Sequence, residues 1–165
     1  MPPWPKIVLL ALASGALQSQ EQAAGHDTWK VYTNVRFNYK ICYPDDLLIP
    51  QGEAANSDGQ TFLAKDGAKL LVFGRNNALN QTLKNALDDT AARLAGRSGK
   101  VTYKVMKPGW FVLSGQDRET MFYAKMLYAD DQFKSFELTY GSSQSAIYKP
   151  VAGRLTGCFA SLTRR

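Results

Sequence analysis

The sequence predicts an α+β protein whose antiparallel sheet is covered by helices, and three observations predict it. Between Phe37 and Tyr140 most of the chain falls into short strand-like runs separated by turn residues. A helical period interrupts them only twice, over Asn80 to Gly96 and in the last stretch from Pro150. The composition of the 165 residues, 45% hydrophobic, 12% aromatic and 21% charged, is that of a chain able to bury one core.

The first 28 residues lie outside that pattern. Lys6 precedes the apolar run Ile7 to Ala13, and small residues follow at Ser14 and Ala16, so residues 1–16 read as a secretory signal with a cut behind Ala16 or as late as Ala24. The run is short for a membrane span, which needs about 20 apolar residues. The predicted location is periplasmic or secreted, with an uncleaved N-terminal anchor in the inner membrane as the alternative. Residues 17–28 are a polar leader, and 29–165 form a single domain.

Within that domain, Phe37, Tyr39, Ile41 and Tyr43 alternate along one face of a strand that Pro44 ends, and Cys42 shares the other face with Asn38 and Lys40. Asp45 to Asn56 reads as a loop. Asp66-Gly67 joins Thr61–Lys65 to Ala68–Phe73 as a two-residue hairpin with the residues of a type I′ turn. The second arm is apolar on both faces, as in a strand covered on both sides. Leu83, Leu87, Ala91, Leu94 and Ala95 recur at helical spacing, with Gly96 as the stop. Four runs follow, Val101–Met106, Gly109–Ser114, Glu119–Tyr128 and Phe133–Tyr140, and their short turns predict an antiparallel meander. The closing helix is read from Pro150 as its first residue, with Val151, Leu155, Cys158, Phe159 and Leu162 on one stripe.

Export changes the reading of the cysteines, because oxidising compartments favour disulfides. Cys42 and Cys158 stand at opposite ends of the domain, so a bridge between them closes almost all of it; two separate buried thiols are the other reading. If they are bonded, face alternation puts the terminal helix on the Asn38/Lys40/Cys42 side. The Phe37/Tyr39/Ile41/Tyr43 side then takes the other helix, making three layers.

Few chemistries suit the inventory. One His and two Cys fall short of a four-ligand Cys/His zinc site, no phosphate-cradling loop occurs, and no catalytic residue, metal or cofactor is assigned. The acidic doublets Asp45-Asp46, Asp88-Asp89 and Asp130-Asp131 are candidates for paired-carboxylate hydrolysis, although turn and surface roles explain them as well. The net charge is +6, and a cut behind Ala16 removes only Lys6. These cations are scattered, which argues against nucleic acid and fits weak association with an anionic envelope surface or an acidic partner. Most aromatics of the meander belong to the core, and Trp110, Phe111 and Phe133 are the candidates for a partner surface.

The Phe-x-Tyr-x-Ile-x-Tyr-Pro strand at Phe37 to Pro44, the Asp66-Gly67 hairpin, the Trp110 to Gly115 strand and the closing Tyr148-Lys149-Pro150-Val151 helix together resemble the PsbP-like superfamily over most of residues 30–162. The resemblance implies an α/β/α sandwich, helices on both faces of the sheet, and a non-enzymatic accessory or binding role. The chain departs from the lipoprotein members in lacking a lipidation cysteine, and no functional residue maps onto it. The expected function is that of an exported envelope protein, monomeric or homodimeric, that acts by binding an envelope protein in an accessory or chaperone-like way. The alternatives are a periplasmic immunity protein against an envelope-targeted toxin and a small hydrolase using a carboxylate pair.

Overall fold

The computed structural model describes residues 28–162. Signal, leader, His26 and the terminal arginines lie outside the described residues. Ten strands and two helices make up an α+β fold: β1 Trp29–Asn34, β2 Tyr39–Pro44, β3 Ile49–Glu53, β4 Gly59–Leu63, β5 Lys69–Asn76, α1 Leu83–Ala95, β6 Lys100–Lys107, β7 Trp110–Asp117, β8 Thr120–Ala129, β9 Gln132–Gly141, α2 Ser145–Cys158 and β10 Ala160–Ser161. A 3-10 turn, Ser142–Gln144, leads into α2.

The strands form two antiparallel sheets. The smaller has the order β1-β2-β10, and the larger has the order β3-β4-β5-β9-β8-β7-β6. The predicted meander is the unbroken half of the large sheet, β6 to β9. The β4-β5 hairpin joins it through β5, which pairs with β9 along its whole length from Lys69↔Thr139 to Asn76↔Gln132. Both faces of these central strands are buried, so β9 reads apolar or buried at almost every place.

Two hydrophobic clusters draw on alternate residues of β8. Phe122, Ala124 and Met126 pack with Ala86 and Leu87 of α1, while Met121, Tyr123 and Leu127 pack with the cluster that holds Tyr148, Val151 and Leu155 of α2. Alternate residues of a strand point to opposite faces, so the clusters lie on opposite sides of β8. The second cluster also contains Phe37, Tyr39, Ile41 and Tyr43, which ties the small sheet to the large one. Phe37 reaches across to β5 because Gly74 has no side chain; a Cβ there would lie 2.3 Å from the Phe37 ring.

Several sequence expectations are corrected. Two strands escaped the hydrophobic pattern: β1, whose Val31 is exposed, and β3, in which every residue is exposed. The predicted loop over Asp45–Asn56 therefore contains a strand held mainly by its backbone. The Asp66-Gly67 connection is not a type I′ turn, because only Gly67, at φ 90°, lies in the left-handed region. The Gly67 N–H donates to Ala64 C=O at 3.1 Å, giving a type I turn followed by a glycine bulge. The two-residue turn with both central φ positive is instead Asp130-Asp131, at 54° and 56°, between Ala129 and Gln132. Finally, α2 begins at Ser145, and Pro150 lies inside it at an exposed position.

Cys42 and Cys158 are bonded, with Cα atoms 5.8 Å apart. The inference that this bond separates the terminal helix from the Phe37/Tyr39/Ile41/Tyr43 face does not hold. Leu155 and Phe159 share a cluster with those four residues. The chain leaving α2 continues as β10 alongside β2, with Ala160 opposite Lys40, so Cys158 meets Cys42 from the flank of the strand. The Cys42 N–H donates to the Cys158 Sγ at 2.9 Å.

Candidate functional site

The three aromatics proposed as a partner surface are not brought together. Phe111 and Phe133 have no exposed surface and belong to the α1 cluster, where Phe133 lies 4.8 Å from the Tyr128 ring and under the Arg75 guanidinium. Their neighbours in sequence alternate in facing, and these two drew the inward places. Trp110 is half-buried on the opposite side of the sheet, with the Lys125 ammonium 5.9 Å from its ring.

The acidic doublets also lie apart. Asp45 pairs with Lys30 at 2.7 Å, which holds its carboxyl below the usual carboxylate range. Asp88 pairs with Lys84 one helical turn away, and the same contact lowers its pKa. Asp89 accepts from Gln81 at 2.8 Å, and Asp131 accepts from the Tyr128 hydroxyl at 3.0 Å in the turn it helps to make. Asp45, Asp88, Asp89 and Asp131 are each occupied with a local structural partner, and no contact between the doublets makes a catalytic pair.

The structure draws attention instead to the α1 side of the large sheet. α1 is fixed at its start by Thr82, whose side chain accepts from the Asn85 N–H, and at its end by Gly96 at φ 58°. Its apolar stripe packs over β6, β7 and β8, and stops short of β5. The register then leaves one side of β3, β4 and β5 uncovered by the helix. Leu71 and Phe73 on β5 are half-buried, while Leu63 on β4 and Ile49 opposite it on β3 keep 42% and 45% of their surface exposed.

A cleft of 260 Å³ marks the boundary between covered and open halves. Leu71, Phe73 and Met126 form its floor, and α1 supplies one wall with Ala86, Asp89, Thr90 and Arg93. Glu137 projects from β9 between Leu71 of β5 and Ala124 of β8, almost fully buried. Arg93 forks onto it, with one guanidinium nitrogen 3.0 Å from Oε2 and the other in contact with Oε1. Arg75 stacks 4.2 Å above Phe133 and donates to Gln81 Oε1 at 2.9 Å. Burial lowers its pKa and the neighbouring Asp89 opposes that shift.

The geometry suits reception of an apolar side chain. The floor is apolar, the rim carries both signs of charge, and the hydroxyl in the wall, that of Thr90, donates to Ala86 C=O at 2.7 Å. Among the described residues no cluster of three or more His, Cys, Asp or Glu side chains is placed to hold a metal ion. Sequence reading missed Glu137 and Arg93. The available signal was an acid between Phe136 and Leu138 in a run otherwise apolar on both faces, which demands a cation from a neighbouring element.

No protein-family model and no curated protein matches the chain. Among solved structures, the chain is similar to cyanobacterial PsbP (CyanoP) from Synechocystis sp. PCC 6803, with a TM-score of 0.60 and 13% sequence identity over 84% of this chain and 95% of that one.

Proposed function

With a PsbP-like fold as the premise, we propose that this chain is a non-catalytic, exported envelope protein that works by binding another protein, in an accessory or chaperone-like role. The observation that carries the reading is the uncovered half of the large sheet. Ile49 and Leu63 stand opposite each other on β3 and β4, diagonal to Leu71 of β5 on the same face, and with the apolar-floored cleft they have the arrangement of a surface that receives a partner's hydrophobic residues. The apolar run of residues 1–16 supports export, and the basic balance supports weak attraction to an anionic envelope. The two clusters on opposite sides of β8, one with each helix, support the α/β/α description. Among the described residues no helix is long and apolar enough to cross a membrane.

Position-specific photo-crosslinking in envelope extract tests the proposal. A crosslinker in place of Leu63 is expected to give one dominant adduct that disappears when Phe73 is changed to Asp. A crosslinker at Leu79, exposed on the loop before α1, serves as the control. Equal adducts from both positions, or none from Leu63, overturn the reading.

A further inference from the structure

We infer a second interaction surface, separate from the open face: the free edge of β6 takes an extended acidic segment of a partner protein as an added strand. This shares with the preceding section only the premise that the chain acts through protein contacts.

The large sheet has two outer strands, β3 and β6, and they differ. β3 is blunted. Pro50 lacks an N–H, Gly52 turns at φ 91°, and the register shifts between Pro50 and Glu53. β6 has its irregularity at the start, between Val101 and Tyr103, and from Tyr103 to Lys107 it pairs with β7 without Pro, Gly or further shift. The tight turn at Pro108-Gly109 makes Lys107 and Trp110 a hydrogen-bonded pair, so Tyr103, Val105 and Lys107 direct their backbone groups to β7. The N–H and C=O groups of Lys104 and Met106 then face outward, as a template for another strand.

Side chains define the occupant. Tyr103 and Met106 keep 54% and 47% of their surface exposed on the two faces of this edge. Lys100, Lys104 and Lys107 are exposed, and among the described residues none has an acidic partner within 4 Å. Asp88 on α1, whose carboxylate the Lys104 charge reaches, is already bound to Lys84. A second copy of β6 would set lysines against lysines, and an uncharged strand would leave three ammonium groups beside it uncompensated. An extended segment with carboxylates on both of its faces satisfies Lys104 on one side and Lys107 on the other, while its backbone completes the ladder.

Fluorescence anisotropy on the full chain tests this with labelled peptides of about eight residues, a typical strand length, built from Val and Thr with three Glu. Saturable binding of the Glu peptide is expected. Lys104→Glu should weaken it about tenfold, as should Met106→Pro, which removes an outward N–H while leaving the β7 ladder. The same peptide N-methylated at alternate residues should not bind, which tests the backbone bonds from the partner's side even if the proline variant folds poorly. A peptide with Lys for Glu should also fail. Absence of saturable binding by the Glu peptide overturns the proposal, as does equal binding by its N-methylated form. The Leu63 crosslink and this assay read different surfaces: Phe73→Asp should leave peptide affinity unchanged, and Met106→Pro should leave the Leu63 adduct.

Discussion

The two hydrophobic clusters of this molecule are closed in different ways. On the α2 side, the helix, the small sheet and the disulfide all converge, and aromatic rings interlock there: Phe159 lies 5.3 Å from Phe136 and 6.0 Å from Tyr39, each edge to face. On the α1 side a single helix covers half of a wide sheet and stops at an ion pair, Arg93 with Glu137, beyond which the apolar floor continues into solvent. The first side is built for stability. The second leaves apolar surface unburied beside that ion pair, with Leu63 and Ile49 largely exposed.

Breaking the staple should have the largest effect. Replacing Cys42 and Cys158 together by Ser is expected to lower stability by about 4 kcal/mol, because the bond closes a long loop, and urea denaturation checks it. Truncating a core residue on each side comes next. Leu155→Ala should cost about 3 kcal/mol in the α2 cluster. Arg93→Ala should cost about 1–3 kcal/mol by leaving the buried Glu137 carboxylate without its counter-charge, and Glu137→Gln in the same chain should recover part of that loss. An equal cost for Leu63→Asp would erase the contrast between the clusters; within the open half it should change stability by less than about 0.5 kcal/mol.

The polar junction between the sheets adds a pH test. Tyr32 donates to Glu53 at 2.6 Å and Asn34 donates to Ser57 C=O at 3.0 Å, tying β1 to the β3-β4 connection. Burial, helped by Glu53, raises the Tyr32 pKa from 10.0 to about 12. A raised folded-state value means that its contribution is intact below pH 10.0 and is lost as pH rises toward about 12. Stability should fall through that window, and Tyr32→Phe should flatten the slope when unfolding is followed by tyrosinate absorbance.

What could be read from sequence followed burial. The meander and α1 were legible because their strands and stripe are apolar at the right period, and the cysteine pair was legible because the expectation of an oxidising compartment favours a bridge. β3 was invisible, since Ile49-Pro50-Gln51-Gly52-Glu53 is wholly exposed and joins the sheet through its backbone. The start of α2 was misplaced because Pro150 looks like a first-turn residue, while the 3-10 turn at Ser142–Gln144, where Gln144 accepts from the Gly141 N–H at 2.7 Å, begins the coiling earlier. The site stayed hidden for a different reason. Which residues a helix leaves uncovered depends on strand order, and β5 and β9 are neighbours in the sheet although α1 and strands β6 to β8 separate them in sequence.

The smallest sheet has a mechanical meaning. The first and last described strands, β1 and β10, flank the same strand, β2, and Cys158 is bonded to Cys42 beside them. Tension applied to the two ends of the domain therefore runs through β1, β2 and the sulfur bridge. Once the short ladders shear, the chain lengthens only by the segments outside the bridge, at about 3.4 Å per residue, and the seven-stranded sheet with its open face and free edge carries no load. Pulled at both ends of the domain, the large sheet would keep its shape.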